Sequence, residues 1–224
     1  VRIVDNENNA GSVDAGFITG LGANGTVYSI QLATNGQSLL AGDFTTFNGV
    51  ARQNVARINT DGTLDNGFDA GVISQGTNAP GTVRAIGVYT NGVNANKVVI
   101  GGLFTLVGNA GRTNIARLNV DGTPDTSFDP GTGANNAVNS VAIQNNGRGL
   151  LGGTFTAVNG VPRNFVARLN FDGSVDNTFT PGGGPDAQVR LVAALNDGKI
   201  LIAGDFDSVS GVSNRRIEIG RAHV

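Results

Sequence analysis

Three loops of this chain repeat one spacing of oxygen-bearing side chains around a glycine. They are Asn59-Thr60-Asp61-Gly62-Thr63-Leu64-Asp65, Asn119-Val120-Asp121-Gly122-Thr123-Pro124-Asp125 and Asn170-Phe171-Asp172-Gly173-Ser174-Val175-Asp176. Alternating oxygens about a turn glycine are how a loop wraps a hard cation such as Ca²⁺. That makes Asp61, Asp65, Asp121, Asp125, Asp172 and Asp176 the candidate metal set. The first ligand position of each loop, however, is Arg57, Arg117 or Arg168, and a guanidinium has only donors to offer. The preferred reading is a hairpin turn whose Asp holds backbone amides, with the guanidinium as internal cation pairing in bidentate fashion with Asp65, Asp125 or Asp176. No metal or other cofactor is expected on that reading.

The rest of the chemical inventory is thin. Arg52, Arg112 and Arg163 recur at one position of each repeat; an anion site is one reading, but a contact needed in every unit argues for keeping the fold. Pro181-Gly182-Gly183-Gly184-Pro185 is the densest glycine run, and it lacks the strand-loop-helix setting of a phosphate loop, so a connection between units is preferred. The single histidine is His223 and there is no cysteine, which removes the usual base, nucleophile and soft ligands. Paired carboxylates stay open, although Asp14, Asp61, Asp65, Asp121, Asp125, Asp172, Asp176 and Asp186 sit in or beside turns. No catalytic residue is singled out.

Binding residues are sought where the repeats differ. After a constant valine in the first strand of each unit stand Tyr28, Arg84, Asn139 and Arg190. A neighbouring second-strand column reads Asp43, Leu103, Thr154 and Asp205. First strands line the central channel of a propeller, so Tyr28, Arg84, Asn139, Arg190, Asp43, Thr154 and Asp205 are the candidate ligand residues. Drift on a solvated face explains the same variation.

The elements that must position these side chains follow from a repeat. Phe44, Phe104, Phe155 and Phe206 are spaced 60, 51 and 51 residues apart, and Phe17, Phe68, Phe128 and Phe179 are spaced 51, 60 and 51. The unit is therefore 51 residues, with nine extra in one copy, placed in loops around Gln75 to Pro80 and Gly92 to Asn96. Each unit reads as four strands: Val27 to Leu32, Ser38 to Phe44 and Val55 to Asn59, then a short fourth after Asp61-Gly62 reaching Phe68. Val1-Arg2-Ile3 and Gly11-Ser12-Val13-Asp14 read as the third and fourth strands of an earlier unit. Four short strands per unit of about fifty residues fit a propeller blade better than a β-solenoid rung, and the two Phe columns are expected between blades.

The predicted fold is all-β, an open propeller of blades with four antiparallel strands, three full repeats (21–71, 72–131, 132–182) and two partial ones (about 1–20 and 183–217). Together 1–217 form one domain. From Glu218 onward the repeat breaks, and Ile219-Gly220-Arg221-Ala222-His223-Val224 matches the translation of a sequencing adapter, so 218–224 read as a non-native tail and the chain as cut from a longer one. A formal charge of −2 gives no electrostatic reason for a nucleic-acid or anionic-membrane partner, and no apolar run is long enough to insert in a membrane.

The three Asn-x-Asp-Gly-x-x-Asp loops, with Gly-x-Phe-Thr, the Asn-Gly turn and Ala-Arg-Leu-Asn, resemble the delta-60 repeat family across residues 1 to 217. That resemblance implies a bacterial β-propeller within a large, secreted or surface-attached protein, with no general activity. It implies an extracellular or cell-surface, non-enzymatic binding or scaffold module whose partners are a glycan or protein and the rest of its own chain. An Asp-dependent carbohydrate-active enzyme and a calcium-stabilised structural repeat are the alternatives. Departures are Gly108-Asn109-Ala110-Gly111 and Ser210-Gly211 at the Asn-Gly turn.

Overall fold

The computed structural model describes residues 16–18, 20–76, 79–213 and 216–221. The strands assigned to residues 1–14, Asp14 and His223 lie outside the described residues. Four sheets of three antiparallel strands follow one another along the chain. They are β1 (Val27–Leu32), β2 (Ser38–Gly42) and β3 (Val55–Ile58); β4 (Thr82–Val88), β5 (Val98–Leu103) and β6 (Ile115–Leu118); β7 (Val138–Ile143), β8 (Gly149–Gly153) and β9 (Val166–Leu169); and β10 (Val189–Ala194), β11 (Lys199–Gly204) and β12 (Ile217–Arg221). In each, the second strand lies between the first and third. The described residues contain no α-helix, and the sheets form an open propeller.

The fourth strand is smaller than the sequence pattern predicts. It shrinks to single bridges, Ile58 with Leu64, Leu118 with Pro124 and Leu169 with Val175. The reason is local: Asp65 Oδ1 accepts from the Gly67 amide at 2.8 Å, which turns the chain before a ladder can extend. Conversely, the second strand of the first blade ends at Gly42 rather than at Phe44, and a hairpin of two-residue strands follows, Thr46–Phe47 with Val50–Ala51. Asn48 and Gly49 both have positive φ (55° and 78°), the pattern of a type I′ turn. Ser210 and Gly211 repeat it at 51° and 79°. In the second blade only Gly108 is positive, at 56°, so moving the glycine one place forward exchanges the turn for the other hairpin class. The extra residues there are not all loop. Ile73–Gln75 and Ala79–Pro80 extend the outer hairpin into a four-stranded sheet, and Gly92–Asn94 makes one 3-10 turn.

Packing runs between blades, because a single sheet leaves both faces apolar. One core joins Leu39, Ala41 and Val55 of the first blade to Val83, Ile86 and Phe104 of the second. A second joins Val99 and Ile115 to Val138, Val141 and Phe155, and a third joins Leu150 and Val166 to Val189, Val192 and Phe206. Phe44, Phe104, Phe155 and Phe206 are fully buried, as are Phe68, Phe128 and Phe179 to within 3%. Phe17 departs from its column at 43% exposed.

The glycine before each buried Phe is a packing requirement. A Cβ on Gly42, Gly102, Gly153 or Gly204 would sit 1.8, 2.0, 2.2 or 2.2 Å from the carbonyl oxygen of Thr26, Thr82, Ala137 or Gln188. Here the first strand presses a carbonyl against the second, beside the bulge that shifts register between Val83 and Ala85. Gly102→Ala is expected to destabilise the protein by about 1–3 kcal/mol or more, since backbone must move; chemical denaturation would measure it.

Candidate functional site

The constant polar columns hold one blade to the next. Arg117 is buried, its guanidinium 4.8 Å from the Phe128 ring centre. Its Nε donates to Asp125 Oδ2 at 2.8 Å, while Nη1 donates to the Phe171 carbonyl of the following blade at 2.6 Å. Arg57 repeats this, with Nε to Asp65 Oδ2 at 2.8 Å and Nη1 to the Val120 carbonyl at 2.6 Å. Arg168 Nε reaches Asp176 Oδ2 at 2.8 Å. The pairing expected to be bidentate uses one carboxylate oxygen, because Asp125 Oδ1 already accepts the Ser127 amide and hydroxyl. On the other side of Oδ2 a further donor arrives from the residue just before the second strand: Gln37, Lys97 or Arg148.

The Asp-Gly turns complete the joint. Asp121 O accepts from the Asp69 amide of the preceding blade at 2.9 Å, and Asp172 O from the Asp129 amide at 2.6 Å. Gly122 has φ +91°, and a Cβ there would lie 2.6 Å from Asp69 N. The Asp61, Asp121 and Asp172 side chains accept from the hydroxyl and amide two residues on, at 2.6–3.0 Å. Those bonds hold their pKa values below the ordinary carboxylate range. With guanidinium or ammonium groups at 2.7–2.8 Å, Asp65 and Asp125 already carry their counter-ions. Among the described residues no three acidic or histidine groups converge as a metal would need.

Arg52, Arg112 and Arg163 tie the outer hairpin to the loop after the turn. Arg52 Nη1 donates to Ala51 O at 2.7 Å and faces Asp69 at 3.6 Å; Arg112 Nη2 donates to Phe128 O at 3.2 Å; Arg163 Nη2 donates to Asn177 Oδ1 at 3.1 Å. Pro181, Gly182 and Gly183 line a small recess with Arg163 on the link between blades.

Burial opposes the charged form of Asp125, but bonds from Lys97, Ser127 and Arg117 outweigh it and hold its pKa well below the usual value; Asp65 and Asp176 shift the same way. A carboxylate depressed in the native state stabilises above its unfolded pKa of about 4 and loses that contribution as pH falls. The melting temperature is therefore expected to be level from about pH 5 to 8 and to drop below about pH 4, as calorimetry across pH would show.

The variable columns lie elsewhere, on the inner strands. β1, β4, β7 and β10 line a groove of about 570 Å³ that brings Tyr28, Arg84, Asn139 and Arg190 to one place. The Tyr28 hydroxyl donates to Asp43 Oδ2 at 2.5 Å, which raises the pKa of the phenol. Arg84 Nη1 donates to Asn139 Oδ1 at 2.8 Å, and Asn139 Nδ2 reaches Val189 O at 3.3 Å. Arg190 grips Asp205 through Nε to Oδ1 at 2.8 Å and Nη2 to Oδ2 at 2.7 Å. Bonds from Arg190 and Gln188 pull Asp205 down to about 2. Asp43 and Asp205 thus stand behind the groove as partners of lining residues, and Thr154 turns aside to the Ala137 carbonyl at 3.4 Å. Sequence reasoning missed Ser29, Gln31, Thr90 and Ser140, which also line the groove; the repeat places Ser29, Gln31 and Ser140 on the same inner strands and Thr90 just past the end of one, and that was the available signal.

Residues 34–68, 96–128, 144–179 and 195–217, more than half of the chain, match the family model described as a domain of unknown function (DUF5122) beta-propeller. The chain belongs to the DUF5122 β-propeller family. Every matched segment begins after a first strand, so β1, β4, β7 and β10, which line the groove, lie outside all four. The latch residues of this DUF5122 chain, from Arg57 and Asp65 to Arg168 and Asp176, fall inside. Among curated proteins there is no match. The crystal structure of the extracellular domain of BT4673 from B. thetaiotaomicron is similar at 13% identity and a TM-score of 0.51, covering 88% of this chain. That likeness is one of fold, and this chain spans only 21% of the length of that one.

Proposed function

We propose that this DUF5122 chain is a non-catalytic binding module of a larger extracellular or surface-attached bacterial protein, with repeats of the delta-60 type. Its ligand, a glycan or another protein, sits in the groove between the inner strands. One observation carries the reading: the four positions that vary from blade to blade on an otherwise constant first strand converge on that groove, while the polar positions that repeat are spent on joints between blades. The extracellular origin of the similar BT4673 domain supports the location. Among the described residues no acidic one lines the groove, which weighs against the carbohydrate-cleaving alternative, since that chemistry needs two carboxylates about 5–10 Å apart.

The purified protein is expected to retain members of a glycan or protein array while showing no hydrolytic turnover of the glycans it retains. Turnover would overturn the reading, as would binding that survives substitution of Tyr28, Arg84, Asn139 and Arg190 together.

A further inference from the structure

The groove contains a guanidinium whose repeat-equivalent partner is missing. In each blade the first-strand column faces the second-strand column across the bulge: Tyr28 with Asp43, Asn139 beside Thr154, Arg190 with Asp205. Where arginine occupies the first column of the fourth blade, aspartate occupies the second, and the two form a bidentate pair through Nε and Nη2. In the second blade arginine recurs as Arg84, but the facing residue is Leu103. No carboxylate among the described residues pairs with Arg84; its bond is from Nη1 to the Asn139 amide oxygen. Asn139 is itself turned by its bond to the Val189 carbonyl, so a neutral group aims the guanidinium and leaves its charge uncancelled. The Nε–Nη2 edge, the fork that grips Asp205 in Arg190, is left for something else.

We propose that Arg84 holds the carboxylate of an acidic oligosaccharide, which takes in the second blade the place that Asp205 takes in the fourth. This rests on the groove being the binding site, and it names the ligand class. A planar guanidinium edge matches a carboxylate in a two-bond fork. The other lining groups suit sugar: the Ser29 hydroxyl and the Gln31 amide for hydroxyl groups, with the half-exposed Tyr28 ring as an apolar face. Among the described residues no acid lines the groove; Arg190 is paired with Asp205 and Asp43 stands behind Tyr28, so the attraction for an anionic ligand centres on Arg84, and binding weakens with added salt.

Titration calorimetry with a galacturonic acid hexamer, the same hexamer with its carboxyls reduced to alcohols, and an acidic peptide tests this directly. The acidic hexamer is expected to bind, the reduced one about tenfold or more weakly, and the peptide not measurably. Arg84→Gln should lose about tenfold or more toward the acidic hexamer and clearly less toward the reduced one. Leu103→Asp supplies the missing partner from within and should weaken binding as much, although Leu103 touches no ligand. Equal binding of the two hexamers, or wild-type affinity in both variants, would overturn the proposal while leaving the groove as a binding site. Preference for the peptide would replace the ligand class. Failure of both hexamers, the peptide and every array member to bind would bring down the binding reading itself.

Discussion

Asp125→Ala is expected to lower stability by about 3–5 kcal/mol, the largest effect we anticipate from any polar residue, because it leaves a buried cation without its counter-ion. Arg117 and Asp125 are 3% and 6% exposed, and Lys97 makes a second ion pair to the same oxygen. Removing the carboxylate orphans both cations and the Ser127 hydroxyl. It also loosens the guanidinium that reaches the Phe171 carbonyl of the following blade, so the damage extends to the joint. For a chain of this size each kcal/mol shifts the melting temperature by about 2–4 °C, which puts the drop at roughly 6–20 °C. Asp125→Asn, which keeps shape and one acceptor, is expected to lose less. If instead Asp125→Ala melted with the wild type, the arginine column would not be a fold-keeping latch.

Phe155→Ala should cost a similar amount, about 3–5 kcal/mol, for a different reason. The ring is fully buried in the core shared by the second and third blades, with Val138, Val141 and Leu151. Truncation removes apolar contact and leaves a cavity that two rigid sheets cannot close. Phe17→Ala serves as the contrast: the same residue type in the other Phe column, but 43% exposed, and a cost well under that of Phe155→Ala is expected. Urea denaturation of the two variants reads the difference. Equal costs would mean that Phe17 is buried as its column suggests.

The repeat made most of this legible beforehand. Residues recurring at 51 and 60 positions located three strands per blade and the inter-blade Phe columns, because buried apolar positions tolerate little change in size. The same alignment separated the joint residues from Tyr28, Arg84, Asn139 and Arg190. What it could not carry was anything decided by a neighbouring blade. That Arg57 reaches Val120, sixty-three residues on, needs the packing of two sheets, and the single-oxygen geometry at Asp125 follows from Ser127 claiming the other oxygen. The fourth strand was overdrawn because an Asx turn at Asp65 and a strand entering Phe68 leave similar sequence marks. The insertion around Gln75 to Pro80 looked like loop because two- and three-residue strands carry no periodicity. In the sequence Leu103 is one more variable position; only the Arg190–Asp205 pair in the fourth blade shows what its apolar side chain leaves undone.

The central claim is that repeated polar residues hold the blades together while the varying inner-strand residues face the groove and are not needed to hold the fold. Thermal unfolding of the combined variant Tyr28→Phe, Arg84→Gln, Asn139→Ser and Arg190→Gln tests it most directly. A melting temperature lowered by no more than about 4–8 °C is expected, since changes at such exposed or half-exposed positions stay near 0.5 kcal/mol each, about 2 kcal/mol together. A drop as large as that of Asp125→Ala would show that these four residues hold the fold, and would contradict the account.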